Sequence, residues 1–84
     1  MSEIGIGTIT HYYGNISVAI IQLSDNLKVN ETIHIKGHSS DFTQSVASMQ
    51  IEHKDVSEAK AGDLIGIKVI QKVHPHDKVF KVVP

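Results

Sequence analysis

Six histidines in 84 residues, His11, His34, His38, His53, His74 and His76, are the side chains of this sequence best suited to chemistry. An imidazole changes charge near neutral pH and is a common metal ligand. The sharpest arrangement is His74-Pro75-His76-Asp77. On an extended segment side chains two apart point the same way, so His74 and His76 could present two nitrogens to one ion. A metal site needs a third and a fourth ligand, and spacing alone brings neither His11, His38 nor His53 to that place. The alternative reading is histidines exposed in turns and on strand faces.

Other chemistries find less support. The absence of Cys excludes disulfides, thiolate nucleophiles and cysteine-ligated zinc or iron–sulfur centres. Serine occurs at Ser2, Ser17, Ser24, Ser39, Ser40, Ser45, Ser48 and Ser57, and none lies in a G-x-S-x-G elbow. Gly5-Ile6-Gly7 lacks the third glycine and the following helix of a dinucleotide fingerprint, and there is no phosphate loop. Neither a cofactor nor catalysis is expected.

Eight Lys and no Arg face nine acidic residues, for a formal charge of −1. An autonomous nucleic-acid binder carries a strong positive field, arginines for bidentate phosphate contacts and aromatics for stacking. This chain has no Trp and 5% aromatics, so DNA binding is not expected and any RNA contact is weak or shared. The charge is uneven. Lys68, Lys72, Lys78 and Lys81 against Asp77 alone make residues 64–84 net +3, whereas residues 1–42 are net −2. Those lysines either blunt sheet edges or track a phosphate backbone.

The elements that position these residues are strands. Twelve Ile, nine Val and four Thr stand against three Leu and four Ala, and branching at Cβ favours pleated backbone. Residues 4–13 form a first strand, in which Gly5 and Gly7 imply close backbone approach, ended by Tyr13-Gly14-Asn15. Residues 16–23, ISVAIIQL, are apolar on both faces, as in a deeply buried strand lying between the core and something that covers it. Residues 31–36 alternate with Ile33 and Ile35 inward, followed by a loop at 37–42 that Phe42 anchors. A long bent or bulged strand is expected at 43–53, with Ala47, Met49 and Ile51 inward, and a helical turn at 54–61. Strands at 64–70, with Ile65, Ile67 and Val69 inward, and 78–83, with Phe80 and Val82 inward, complete six. Six short, evenly spaced strands predict one all-β domain over 1–84, a closed Greek-key barrel. A meander would set His34 and Lys36 beside Gln50 and Glu52 as a polar contact surface. No apolar stretch approaches the roughly 18 residues of a membrane span, and no basic region precedes an apolar core at the N-terminus, so a cytoplasmic protein with no membrane contact is expected.

Several segments together resemble a family. Leu27 to Gly37 reads L-K-V-x-[ED]-x-I-x-I-x-G, Val46 to Gln50 reads V-x-S-M-Q, and Ala59 to Gly66 reads A-x-x-G-D-x-[IV]-G. This order is similar to the β-barrel second domain of translational GTPases such as elongation factor Tu. It is closer to small stand-alone translation elongation factor-like proteins, and it also resembles the barrel at the C-terminus of some collagenase-like peptidases. The likeness covers nearly the whole chain. Asn30 stands where the family has a glycine in a turn that needs positive φ, a conformation asparagine tolerates. In elongation factor Tu the G-x-G-T-[VI] motif, matched by Gly5 to Ile9, lies beside the pocket for the aminoacylated end of tRNA; the usual arginine is Ile6 here.

The resemblance implies a non-catalytic interaction module that binds a protein, a ribonucleoprotein, RNA or an RNA-modifying enzyme in trans. Its candidate binding residues are Gly5, Gly7, Thr8, His34, Lys36, His38, Gln50 and Glu52. The alternatives are a metal-binding barrel using His74 and His76, or a structural unit that self-associates through its strand edges, with the oligomeric state open.

Overall fold

The computed structural model describes residues 2–83, which form strands and turns and contain no helix. Ten strands follow in order: β1 (Ser2–Tyr13), β2 (Val18–Leu23), β3 (Leu27–Lys28), β4 (Thr32–Lys36), β5 (Asp41–Ser45), β6 (Met49–Ile51), β7 (Lys54–Val56), β8 (Glu58–Ala59), β9 (Leu64–Lys68) and β10 (Lys78–Val83). Eight make one sheet in the order β5-β4-β10-β1-β2-β9-β6-β7, and β3 pairs with β8 apart from it. The all-β class is as the composition requires. The closed six-stranded barrel is not: the sheet has two ends, β5 and β7, that do not pair with each other.

The long strand β1 organises the sheet because its first half pairs with β10 and its second half with β2. Two register shifts interrupt it, between Gly5 and Gly7 and between Ile9 and His11. Each extra residue bends the strand and changes which parity faces inward. Hence Ile6 and Ile9, three apart, are both buried. Gly7 is required where β1 and β2 approach: a Cβ there would lie 2.6 Å from the Gln22 carbonyl oxygen. Gly5 has no such constraint, since its Cβ would meet only the Phe80 ring at 3.8 Å. The core behind the sheet is mostly branched, with Ile6, Ile9, Ile21, Ile33, Ile35, Ile65 and Val79 all fully buried, and Phe42 anchors its loop as expected.

Four expectations about the elements fail for identifiable reasons. The strand read at 43–53 is two strands at opposite ends of the sheet, because Val46 leaves β5 to bond the Asn30–Glu31 turn and the chain crosses over; Ala47 is exposed. Residues 54–61 form no helical turn. Eight residues do not sustain a helix unaided, and the pairings β6–β7 and β3–β8 take up their main chain. On β10 the inward residues are Val79 and Lys81, not Phe80 and Val82. Lys81 is tolerated inside because its ammonium donates to the Asn26 carbonyl and lies 3.7 Å from Glu31; it belongs to neither a blunted edge nor a phosphate-tracking face. Finally, β2 is buried on one face only.

The free end at β5 is stitched by a side chain. The Gln44 carboxamide donates to the Lys68 carbonyl at 2.8 Å and accepts from the Ile70 amide at 2.9 Å. These are the two bonds that a parallel-strand residue opposite Val69 would make through its own peptide groups. The sheet therefore curls toward closure, with one amide side chain standing in for a missing strand pair. The other end, β7, is three residues long and begins Lys54-Asp55, a short charged edge of the kind that resists self-pairing.

Candidate functional site

The structure divides the sequence-predicted site residues between two surfaces, apart from Gly7, which faces the Gln22 carbonyl and the buried Ile21 of β2. Gly5, Thr8, His34 and Lys36 share the outer face of β1, β10 and β4. One cross-strand row runs Thr8, Lys78, Lys36, Asp41, and the next runs Gly5, Phe80, His34, Thr43. His38 is exposed in the bend after β4. Gln50 and Glu52 lie elsewhere. The meander pairing fails because β4 lies between β5 and β10, whereas β6 lies between β7 and β9.

On the first surface His34 is held from both sides. Its Nδ1 is 2.8 Å from Glu3 Oε2 and its Nε2 is 2.5 Å from Asp41 Oδ1, while the ring packs at a tilt on Phe80. Only a doubly protonated imidazole can donate to two carboxylates at once. The hydrogen bond to Asp41, followed by that to Glu3, raises the His34 pKa, and the same bond lowers that of Asp41. An imidazolium with both nitrogens engaged has no lone pair for a metal or a substrate proton. The cluster is an ion triad that joins β1, β4 and β5.

The His74–Asp77 segment is a turn and not an extended strand. The Asp77 amide donates to the His74 carbonyl, Pro75 precedes His76, and His76 has φ of 76°, which together make a type II turn. The extended geometry that would align His74 with His76 is lost at this turn. The buried Asp77 carboxylate accepts from the His74 amide and fills the space where Gly37 has no side chain, so its role is to hold the turn. No group of three or more metal-ligating side chains assembles among the described residues.

The second surface is an open groove of about 920 Å³ between the tip of the β1–β2 hairpin, β9 and the β6–β7 hairpin. Ile20 and Gly66 lie on its floor, and Gln50, Glu52 and His53 line one side. Tyr13, Ile16 and Leu64 also line it and are 47%, 55% and 51% exposed. β6 meets β9 at a single bridge, Gln50 opposite Gly66, so the sheet is thinly paired at the groove. In the two-residue turn joining β6 to β7, Glu52 and His53 both have positive φ, 52° and 65°. Such turns favour Asn-Gly. Tyr13, Ile16 and Leu64 were not selected from the sequence. The available signal was the second apolar face of residues 16–23, which belongs to this groove through Ile20.

No protein-family model matches the chain. An uncharacterized protease of Methanocaldococcus jannaschii is 40% identical over 79 residues, which are 93% of this chain and 19% of that protein. The chain therefore spans about a fifth of the length of this curated relative. Among solved structures, the C-terminal domain of a Geobacillus thermoleovorans protein described as a U32 peptidase matches with a TM-score of 0.89 at 17% identity, over 95% of this chain and 93% of that domain. The selenomethionine variant of that domain matches with a TM-score of 0.85, also at 17% identity, over 89% and 95%. The structural likeness is one of fold.

These findings overturn the translation-factor resemblance and the module for ribonucleoprotein, RNA or RNA-modifying enzymes inferred from it, because the relatives found are a protease and a peptidase domain. The motifs that carried it serve turns. Asn30 has φ of 79°, Glu31 accepts from the Lys28 amide, and Asp63 accepts from the Lys60 amide. Residues that define turns specify a fold, and one fold hosts many functions.

Proposed function

We propose that this chain is a non-catalytic accessory domain that works with a peptidase catalytic part of the U32 type and engages protein rather than nucleic acid. The observation that carries this reading is the alignment of 93% of the chain with 19% of a protease, the proportion of an accessory domain rather than of a whole enzyme. The engagement of both His34 nitrogens supports it, since the best-placed imidazole is committed to structure. A chain without Cys, in which no helix is long and apolar enough to cross a membrane among the described residues, is in keeping with work in the cytoplasm.

The test uses the Methanocaldococcus jannaschii protease with fluorescein-labelled casein as substrate. Deleting the matching 79-residue segment should abolish or strongly reduce cleavage, and replacing it with this chain should restore it. Full cleavage without the segment would overturn the proposal, as would casein cleavage by this chain alone.

A further inference from the structure

The groove at the β1–β2 tip offers what an extended peptide needs. Among the described residues five large hydrophobics are exposed, Ile4, Tyr13, Ile16, Leu64 and Ile70, and three of them converge on this one concavity. Clustered exposure of that kind marks interaction surfaces, whereas scattered exposure does not. β2 has a second apolar face, and Ile20 on it is half-buried and lines the groove.

The charges select the occupant. Glu52 and Asp63 line the groove together with His11 and His53, and none of the chain's eight lysines does, so its only full charges are negative. An apolar floor beneath two carboxylates is complementary to a segment carrying apolar side chains beside Lys or Arg. The β6–β7 turn, which holds Glu52 and His53 in the left-handed region, sets both side chains at this groove.

We propose that this groove binds an extended polypeptide segment, with an apolar side chain seated over Ile20 and Gly66 and a neighbouring Lys or Arg directed to Glu52 and Asp63. Building on the accessory-domain reading, it assigns the groove to the polypeptide substrate of the peptidase. Gly66 deepens the floor at the place where β6 and β9 are joined by one bridge. A Cβ there would make only ordinary contacts, 3.5 Å from Ile20 and Val18, so the site can be partly filled without disturbing the sheet.

The probe is a fluorescein-labelled ten-residue peptide of leucine and lysine, compared with its leucine and glutamate counterpart by fluorescence anisotropy at low salt. The lysine peptide should bind saturably, at least tenfold more tightly than the glutamate peptide. Glu52→Gln should weaken binding several-fold and reduce its salt dependence. Leu64→Ser and Tyr13→Ser alter exposed side chains and should fold normally while losing most of the binding; Gly66→Val should act likewise by filling the floor. Amide resonances of Tyr13, Ile16 and Leu64 should shift on titration. Equal affinity for both peptides, binding unchanged in Leu64→Ser and Gly66→Val, or shifts confined to the His34 face would overturn the proposal. So would light scattering that shows a dimer dissociated by Leu64→Ser, which would make the occupant a second copy. If the casein assay fails while these peptide results hold, the accessory-domain reading falls and the groove stands; if segment replacement restores cleavage and Leu64→Ser leaves it unchanged, the groove falls and the accessory domain stands.

Discussion

Replacing Gln44 tests whether one side chain completes the curl of the sheet. Its carboxamide makes two hydrogen bonds to the segment after β9, to the Lys68 carbonyl and from the Ile70 amide. A net contribution of about 0.5–1.5 kcal/mol per hydrogen bond gives about 1–3 kcal/mol for Gln44→Ala. Both bonds are solvent-exposed, so water can replace them in part, and the lower half of that range, about 1–2 kcal/mol, is expected. With a urea m-value of about 1 kcal/mol/M for a chain of this size, the unfolding midpoint should fall by about 1–2 M with m unchanged. Gln44→Glu is the sharper probe. It keeps an acceptor for the Ile70 amide but sets a carboxylate oxygen against the Lys68 carbonyl, and it should cost at least as much as alanine. The neighbouring Thr43→Ala removes no such bridge and should stay within about 0.5 kcal/mol of the wild type. If urea melts followed by circular dichroism place Gln44→Ala within that same margin, the bridge contributes nothing and the sheet keeps its curl by core packing alone.

Three further outcomes follow from the geometry. The His34 pKa is raised above its ordinary 6.5, so the stability contributed by the triad is complete below 6.5 and declines as pH rises through the folded value; Asp41 is lowered from 3.8, so its part is present above 3.8 and declines as pH falls through its own folded value. The melting temperature of the wild type should exceed that of His34→Gln most between about pH 4 and 6.5, and an NMR titration midpoint for His34 at or below 6.5 would contradict the geometry. Gly7→Ala forces a Cβ against the Gln22 carbonyl and should cost about 1–3 kcal/mol, whereas Gly5→Ala, with room beside Phe80, should be nearly neutral in the same chemical melts. Replacing Glu52-His53 by Asn-Gly relieves two left-handed residues and should raise stability by about 1 kcal/mol while weakening peptide binding, as expected where strain serves a site.

Local features were legible in the sequence because their causes are local. Branched residues at period two gave the all-β class, and five of the segments read as strands contain observed ones. Asn30 was expected at positive φ and has it. Phe42 was expected to anchor its loop and is buried. Parity failed where a strand is apolar at both parities. In KVFKVV nothing local chooses between Val79 and Phe80, and the choice falls to the pairing with Ile35 and to the Glu31 carboxylate that receives Lys81.

Composition and alternation by themselves determined a small β protein with an Ile- and Val-rich interior, without arginine or cysteine chemistry. The tertiary structure alone decided that the sheet stops short of closure, that β5 and β6 part company, and that His34 lies between Glu3 and Asp41. It also brought Tyr13, Ile16, Leu64 and Glu52 to one groove. The physical reason is range. Propensity, turn chemistry and side-chain period act over a few residues, whereas register, curl and the meeting of distant side chains depend on bulges and long-range pairings that displace whole faces by one residue at a time.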